Sequence, residues 1–152
     1  MRSAISFIVL VAIGICCISC RTTHDPRATW TTGEGIDYLI VARCFSLGGV
    51  GPSGNTSTGE FAFRAVLRSR NATKLFKEVF YPGVRATEEG KLYALCGIRA
   101  TDRAAFDQYA AMVVSTNAEV TTQTGCIVFD ERAVDVVKRI ADGVYDSDFT
   151  KR

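Results

Sequence analysis

Four times between residues 58 and 117 a capping residue is followed by apolar side chains at helical spacing. That series restricts this part of the chain to packed helices. Thr58 precedes Phe63, Val66 and Leu67, with Glu60 suited to the positive end of the helix. Asn71 precedes Leu75, Phe76, Val79 and Phe80, and Tyr81-Pro82-Gly83 stops the run. Thr87 precedes Glu88, Glu89, Leu92, Tyr93, Leu95 and Cys96. Thr101 or Asp102 opens the cleanest stripe, Phe106, Tyr109, Ala110, Val113 and Val114. Each stripe gives a helix one face to bury against its neighbours.

The flanks are less uniform. Ile36, Leu39, Ile40, Cys44 and Leu47 recur at helical spacing, with a strand over Tyr38–Ala42 as the rival reading. Gly48 to Ser57 is a loop rich in Gly, Ser and Asn. After Asn117 the period changes. Val120, Thr122 and Thr124 alternate with other residues, Gly125 breaks the run, and Cys126 to Phe129 is apolar. This pattern predicts a small β-hairpin. A last helix is expected from Asp130 to Asp142, with Val134, Val137, Ile140 and Ala141 inward and Gly143 at its C′ position. Tyr145 is placed to pack back on the domain.

The expected fold class is therefore mainly α, about five to six helices in antiparallel hairpins, with a small β-hairpin before the last helix. The helix starts near 59, 71, 87 and 102 make two successive hairpins. Their spacing resembles a short run of HEAT-like or TPR-like pairs, without the consensus residues of either repeat.

The N-terminus carries a different message. Arg2 precedes an apolar run from Ile5 to Ile18, the layout of a secretory signal peptide. The run is short for a membrane span, which needs about 20 residues. It ends at Ile18-Ser19-Cys20. A short apolar box, a small residue and a cysteine resemble the lipobox of bacterial lipoproteins. Cys17 stands where that family prefers leucine, so the match is relaxed. The resemblance implies cleavage before Cys20, a lipid such as palmitate on Cys20, and a membrane anchor in the cell envelope. The residue after it is Arg21, not aspartate, which under the usual sorting rule implies the outer membrane. A plain secretory signal and an uncleaved anchor are the alternatives. Arg21 to Gly35 is polar and without apolar period, apart from Trp30. The resulting organisation is a signal over 1–19, a lipidated N-terminus and tether over 20–35, one helical domain over 36–146 and a polar tail over 147–152.

Charge and cysteine content narrow the function. Eighteen basic and sixteen acidic side chains nearly balance and are interspersed, so no field of one sign is available for nucleic acid. If Cys20 is lipidated and the signal removed, Cys44, Cys96 and Cys126 remain in an oxidising compartment. They allow one disulfide, for which Cys96–Cys126 is the candidate, or three small core residues. These three offer no CxxC spacing for zinc.

The single histidine, His24, lies in the expected tether. A Ser-His-Asp or Cys-His site needs an imidazole held beside its nucleophile, and a linker residue cannot supply one. Gly49-Val50-Gly51-Pro52-Ser53-Gly54 spells GxGxxG. Pro52 interrupts it and the next helix starts too late, so it reads as a loop rather than a dinucleotide or phosphate cradle. Carboxylates remain as possible catalysts, with Glu60, Glu78, Glu88, Glu89 and Glu119 as candidates for a glycan-cleaving pair. Asp142, Asp146 and Asp148 lack the spacing of a calcium loop. Asn55-Thr56-Ser57 and Asn71-Ala72-Thr73 are glycosylation sequons that matter only in a eukaryotic secretory pathway.

These readings lead to a non-catalytic, membrane-anchored envelope lipoprotein acting as an interaction or accessory module, with no cofactor, no metal and no nucleic acid. Its expected partners are the membrane, through the Cys20 lipid, and an envelope protein met by the loop Gly48–Gly59, Trp30, Asn55 and Tyr81. A carboxylate-dependent cell-wall glycan hydrolase and a eukaryotic secreted glycoprotein are the alternatives.

Overall fold

A computed structural model describes residues 30–150. The signal-like run, Cys20, His24 and most of the expected tether lie outside the described residues. The element order is α1 Thr32–Ile40, α2 Thr58–Leu67, α3 Ala72–Glu78, α4 Glu88–Thr101, a 3-10 turn Arg103–Ala105, α5 Phe106–Val114, β1 Glu119–Thr124, β2 Ile127–Arg132, α6 Ala133–Ala141 and α7 Asp146–Thr150. Among the described residues the fold is mainly helical, with one two-stranded antiparallel hairpin. No helix among the described residues is long and apolar enough to cross a membrane.

The core is organised around α4. Every residue from Leu92 to Arg99 is buried, so this helix is covered on all sides, and α1, α2, α3, α5 and α6 each pack against it. Gly97 permits a close approach. A Cβ there would overlap the ring of Phe76, itself fully buried and tilted against Phe63 at 5.6 Å. Thr87 caps α4, accepting from Gly90 N at 3.1 Å, while its own hydroxyl donates to the Ala42 carbonyl and ties α4 to the end of the first segment.

Several helix ends differ from the sequence expectation. The first helix starts at Thr32 and ends at Ile40, rather than running from Ile36 to Leu47. Thr31 and Glu34 form a reciprocal capping box, with bonds of 2.8 and 3.2 Å, inside the stretch read as tether. The glycines at 33 and 35 disguised that start, and Gly35 is buried. The cap of α2 is Ser57, one residue before Thr58, and accepts from Glu60 N at 3.0 Å. Asn71 stands at the cap of α3 but its side chain makes no capping bond. The last long helix begins at Ala133, because Asp130 to Arg132 complete β2. Its buried face is therefore Ala133, Val136, Val137 and Ile140, with Ala141 exposed.

After α6 the chain folds back over the core. Gly143 takes φ +80 at the helix end, as its C′ position requires. Tyr145 meets Phe45 edge-on at 5.3 Å, and Phe149 lies 5.6 Å from Phe63. Arg99, buried on α4, donates to both carboxylate oxygens of Asp146 at 2.8 and 2.9 Å.

Candidate interaction surface

The hairpin forms because β1 alternates. Val120 and Thr122 are buried, while Glu119 and Thr124 are exposed and Thr121 and Gln123 are partly covered. Gly125 makes the turn possible with φ +56, followed by Cys126. A glycine in the first central position is what a two-residue hairpin loop of type II′ demands. Register runs from Glu119 opposite Arg132 to Thr124 opposite Ile127.

β1 is paired along both of its edges. On the side away from β2, Phe45 N donates to the Thr121 carbonyl at 2.8 Å and Gln123 N donates to the Phe45 carbonyl at 2.9 Å. Gly51 N donates to the Gly125 carbonyl at 2.8 Å, and Val50 and Asn55 exchange bonds of 2.7 and 2.8 Å. Segments 45–50 and 50–55 therefore flank the hairpin and its tip. Thr121 and Gln123 turn their backbone groups toward Phe45, so their neighbours Thr122 and Thr124 turn theirs toward β2. The pairing then assigns the inward backbone groups of β2 to Ile127, Phe129 and Glu131. Those of Val128 and Asp130 point outward. Among the described residues, no hydrogen bond from outside the hairpin reaches those outward groups.

The side chains on this edge are apolar. Ile127 is 67 % exposed, Val128 52 % and Phe129 42 %. Three consecutive large apolar residues on a strand with one open edge are the feature that natural sheets usually blunt with charge, proline or cover. The strand is also held firmly. Thr121 Oγ1 donates to Asp130 at 2.7 Å, and Thr122 Oγ1 donates to Glu131 at 2.7 Å. Arg139 on α6 donates to both Glu131 oxygens at 2.7 and 2.6 Å, and to the Tyr145 hydroxyl at 3.2 Å. Burial pushes the Glu131 carboxyl up, but Arg139 and Thr122 hold it net below its ordinary value. The bond to Glu131 in turn raises Arg139. Glu89 on α4 accepts from Thr121 N at 3.0 Å, fixing β1 to the central helix.

Of the contact residues expected from sequence, Asn55 is exposed in the glycine-rich loop beside the hairpin tip, on the side of β1 away from β2. Trp30 is half-buried, edge-on to Tyr38 at 5.5 Å and packed on the core. Tyr81 is exposed on the connection after α3. The edge residues Ile127, Val128 and Phe129 were not singled out by sequence reasoning. The available signal was their run of three, because an alternating strand with one buried face does not need it.

The Cys96–Cys126 pair is not formed in the structure. Cys96 and Cys126 are both free thiols. Cys96 is fully buried on α4 and Cys126 exposed in the hairpin turn, so one faces the core and the other solvent. Burial pushes the Cys96 thiol well up.

Four of the candidate carboxylates have structural partners. Glu60 is buried, accepts from Gly48 N at 3.2 Å and pairs with Arg64. Glu78 faces Lys74, Glu88 faces Lys91, and Glu89 holds Thr121. Glu119 is exposed at the start of β1. Asp142 pairs with Lys138 and Asp146 with Arg99, while Asp148 is buried beside Gly48. Among the described residues no group of three or more His, Cys, Asp or Glu side chains is placed to hold a metal ion.

Comparison with protein-family models, with curated proteins and with solved structures returns no match to this chain.

Proposed function

We propose that this chain is a non-catalytic interaction module of the cell envelope, anchored by a lipid on Cys20 and presenting the open edge of β2 to a protein partner. The observation that carries the reading is that edge: outward backbone groups at Val128 and Asp130 beside exposed Ile127, Val128 and Phe129. A strand edge recruits an extended segment through its main chain, and the side chains beside it set specificity. The lipid, implied by Ile18-Ser19-Cys20, would supply the membrane partner, with residues 21–29 joining it to the domain. Outer-membrane delivery belongs to the same reading.

A photoactivatable residue at Val128 in the full-length chain, irradiated in native membranes, tests it. The expected result is a discrete protein adduct from position 128 and none from the exposed position Gln108 on α5. Equal labelling from both positions, or none from 128, overturns the reading.

A further inference from the structure

We infer that the β2 edge binds a second copy of this chain, strand against strand about a two-fold axis through Val128. The inference rests on the interaction reading above and names its partner. Because Val128 and Asp130 point their backbone groups outward, two β2 strands can pair antiparallel only in registers that match outward residues with outward residues. With the axis at Val128, the Val128 amide of each copy donates to the Val128 carbonyl of the other, and Ile127 of each copy lies opposite Phe129 of the other.

That register alone sets all three apolar residues against apolar residues. Moving the axis to Phe129 puts Val128 against Asp130 and Ile127 against Glu131. Moving it to Asp130 sets two carboxylates directly opposite, which is destabilising. Moving it to Ile127 leaves Phe129 against the Gly125 turn. In the Val128 register Asp130 faces the uncharged Cys126 of the other copy, and the adjoining loop Gly51–Asn55 carries no charge. The charge pattern along β2 therefore selects one self-pairing.

The area is of the right order for a reversible dimer. Full side chains of this size carry roughly 150–250 Å². At the exposures given above, the three residues offer on the order of 300 Å² per copy, twice that for the pair. That total lies below the ~1,000 Å² at which stable specific interfaces begin, as a weak, reversible contact requires. A small interface of this kind is helped by anchoring both copies in one membrane.

The test is a cysteine scan of the full-length chain carrying Cys126→Ser. Val128→Cys, Asp130→Cys, Arg132→Cys and Gln108→Cys are oxidised separately in native membranes. The expected product has twice the chain mass, is strongest for Val128→Cys, and weakens through Asp130→Cys to nothing at Arg132→Cys and Gln108→Cys. In a separate variant, Val128→Lys should lower dimer affinity at least tenfold by sedimentation in mild detergent, with unchanged circular dichroism. A doubled mass strongest at another position, or equal at Gln108, overturns the inference. An adduct of a different mass at Val128 overturns the second-copy inference but leaves the interaction edge standing. No doubled mass from any β2 position overturns the second-copy inference, while the photoactivatable residue at Val128 decides separately whether the edge meets a protein at all.

Discussion

Tyr93→Phe removes one oxygen from the centre of the fold, and its cost can be worked from the geometry. The ring is fully buried, between Phe45 at 4.8 Å and Phe63 at 6.4 Å. Its hydroxyl accepts from Ser46 N at 2.8 Å and can donate its one proton to the carbonyl of Ser46 at 3.1 Å or of Cys44 at 3.3 Å. Burial holds the phenol well above its ordinary range, so it stays protonated and able to donate. The phenylalanine ring fills the same volume but leaves the Ser46 amide buried without an acceptor. Such an orphaned donor costs about 1–3 kcal/mol. In a urea titration with a slope of about 1–3 kcal/mol per molar, the midpoint should fall by roughly 1 M. Tyr81→Phe, on the surface, should stay within ~0.5 kcal/mol of wild type. Ser46→Ala, which keeps the backbone donor and loses a 3.4 Å contact, should cost less than about 1 kcal/mol. If Tyr93→Phe unfolds at the wild-type midpoint, the Ser46 amide has another partner and the Tyr93 hydroxyl does not tie Ser46 to α4.

Three further outcomes follow from the same geometry. The bond from Arg99 lowers Asp146, and Glu131 is held net below its ordinary value by Arg139 and Thr122 against burial. The stability these depressed carboxylates lend is complete above the unfolded carboxylate range, about pH 4–5, and is lost as pH falls through their folded values. Thermal midpoints should therefore hold between neutrality and about pH 5 and drop below it, with a shallower acid limb in Asp146→Asn and Glu131→Gln. Gly97→Leu drives a side chain into the Phe76 ring and should cost about 3 kcal/mol or more, measured by thermal unfolding. A maleimide reagent should label Cys126 at once, Cys44 more slowly, and Cys96 only on unfolding, as read by intact mass.

The helices from α2 to α5 were legible through their apolar stripes; of their expected caps only Thr87 serves as read, since Ser57 rather than Thr58 caps α2, Asn71 makes no capping bond and Asp102 caps the 3-10 turn before α5. Thr87 and the run Leu92–Cys96 point to one helix at both the local and the packing level. Where two signals conflicted, the sequence misled. Gly33 and Gly35 spoke for a linker while Thr31 and Glu34 spoke for a capping box, and tertiary packing of Gly35 decided for the helix. Asp130–Arg132 carry a helical continuation in their spacing, yet cross-strand bonds from Thr121 and Thr122 draw Asp130 and Glu131 into β2. The hairpin was legible but its open edge was not, because that edge depends on Phe45 occupying the far side of β1. That pairing joins residues more than seventy positions apart, and no local pattern announces it.

The claim most in need of a direct test is that this domain works tethered to a membrane. Intact mass of the native protein, with and without Cys20→Ala, addresses it. The account predicts a chain beginning at Cys20 with added acyl mass, and loss of that modification in Cys20→Ala. An unmodified chain, cut elsewhere or not at all, would contradict the anchored-module account and leave the β2 edge without its membrane setting.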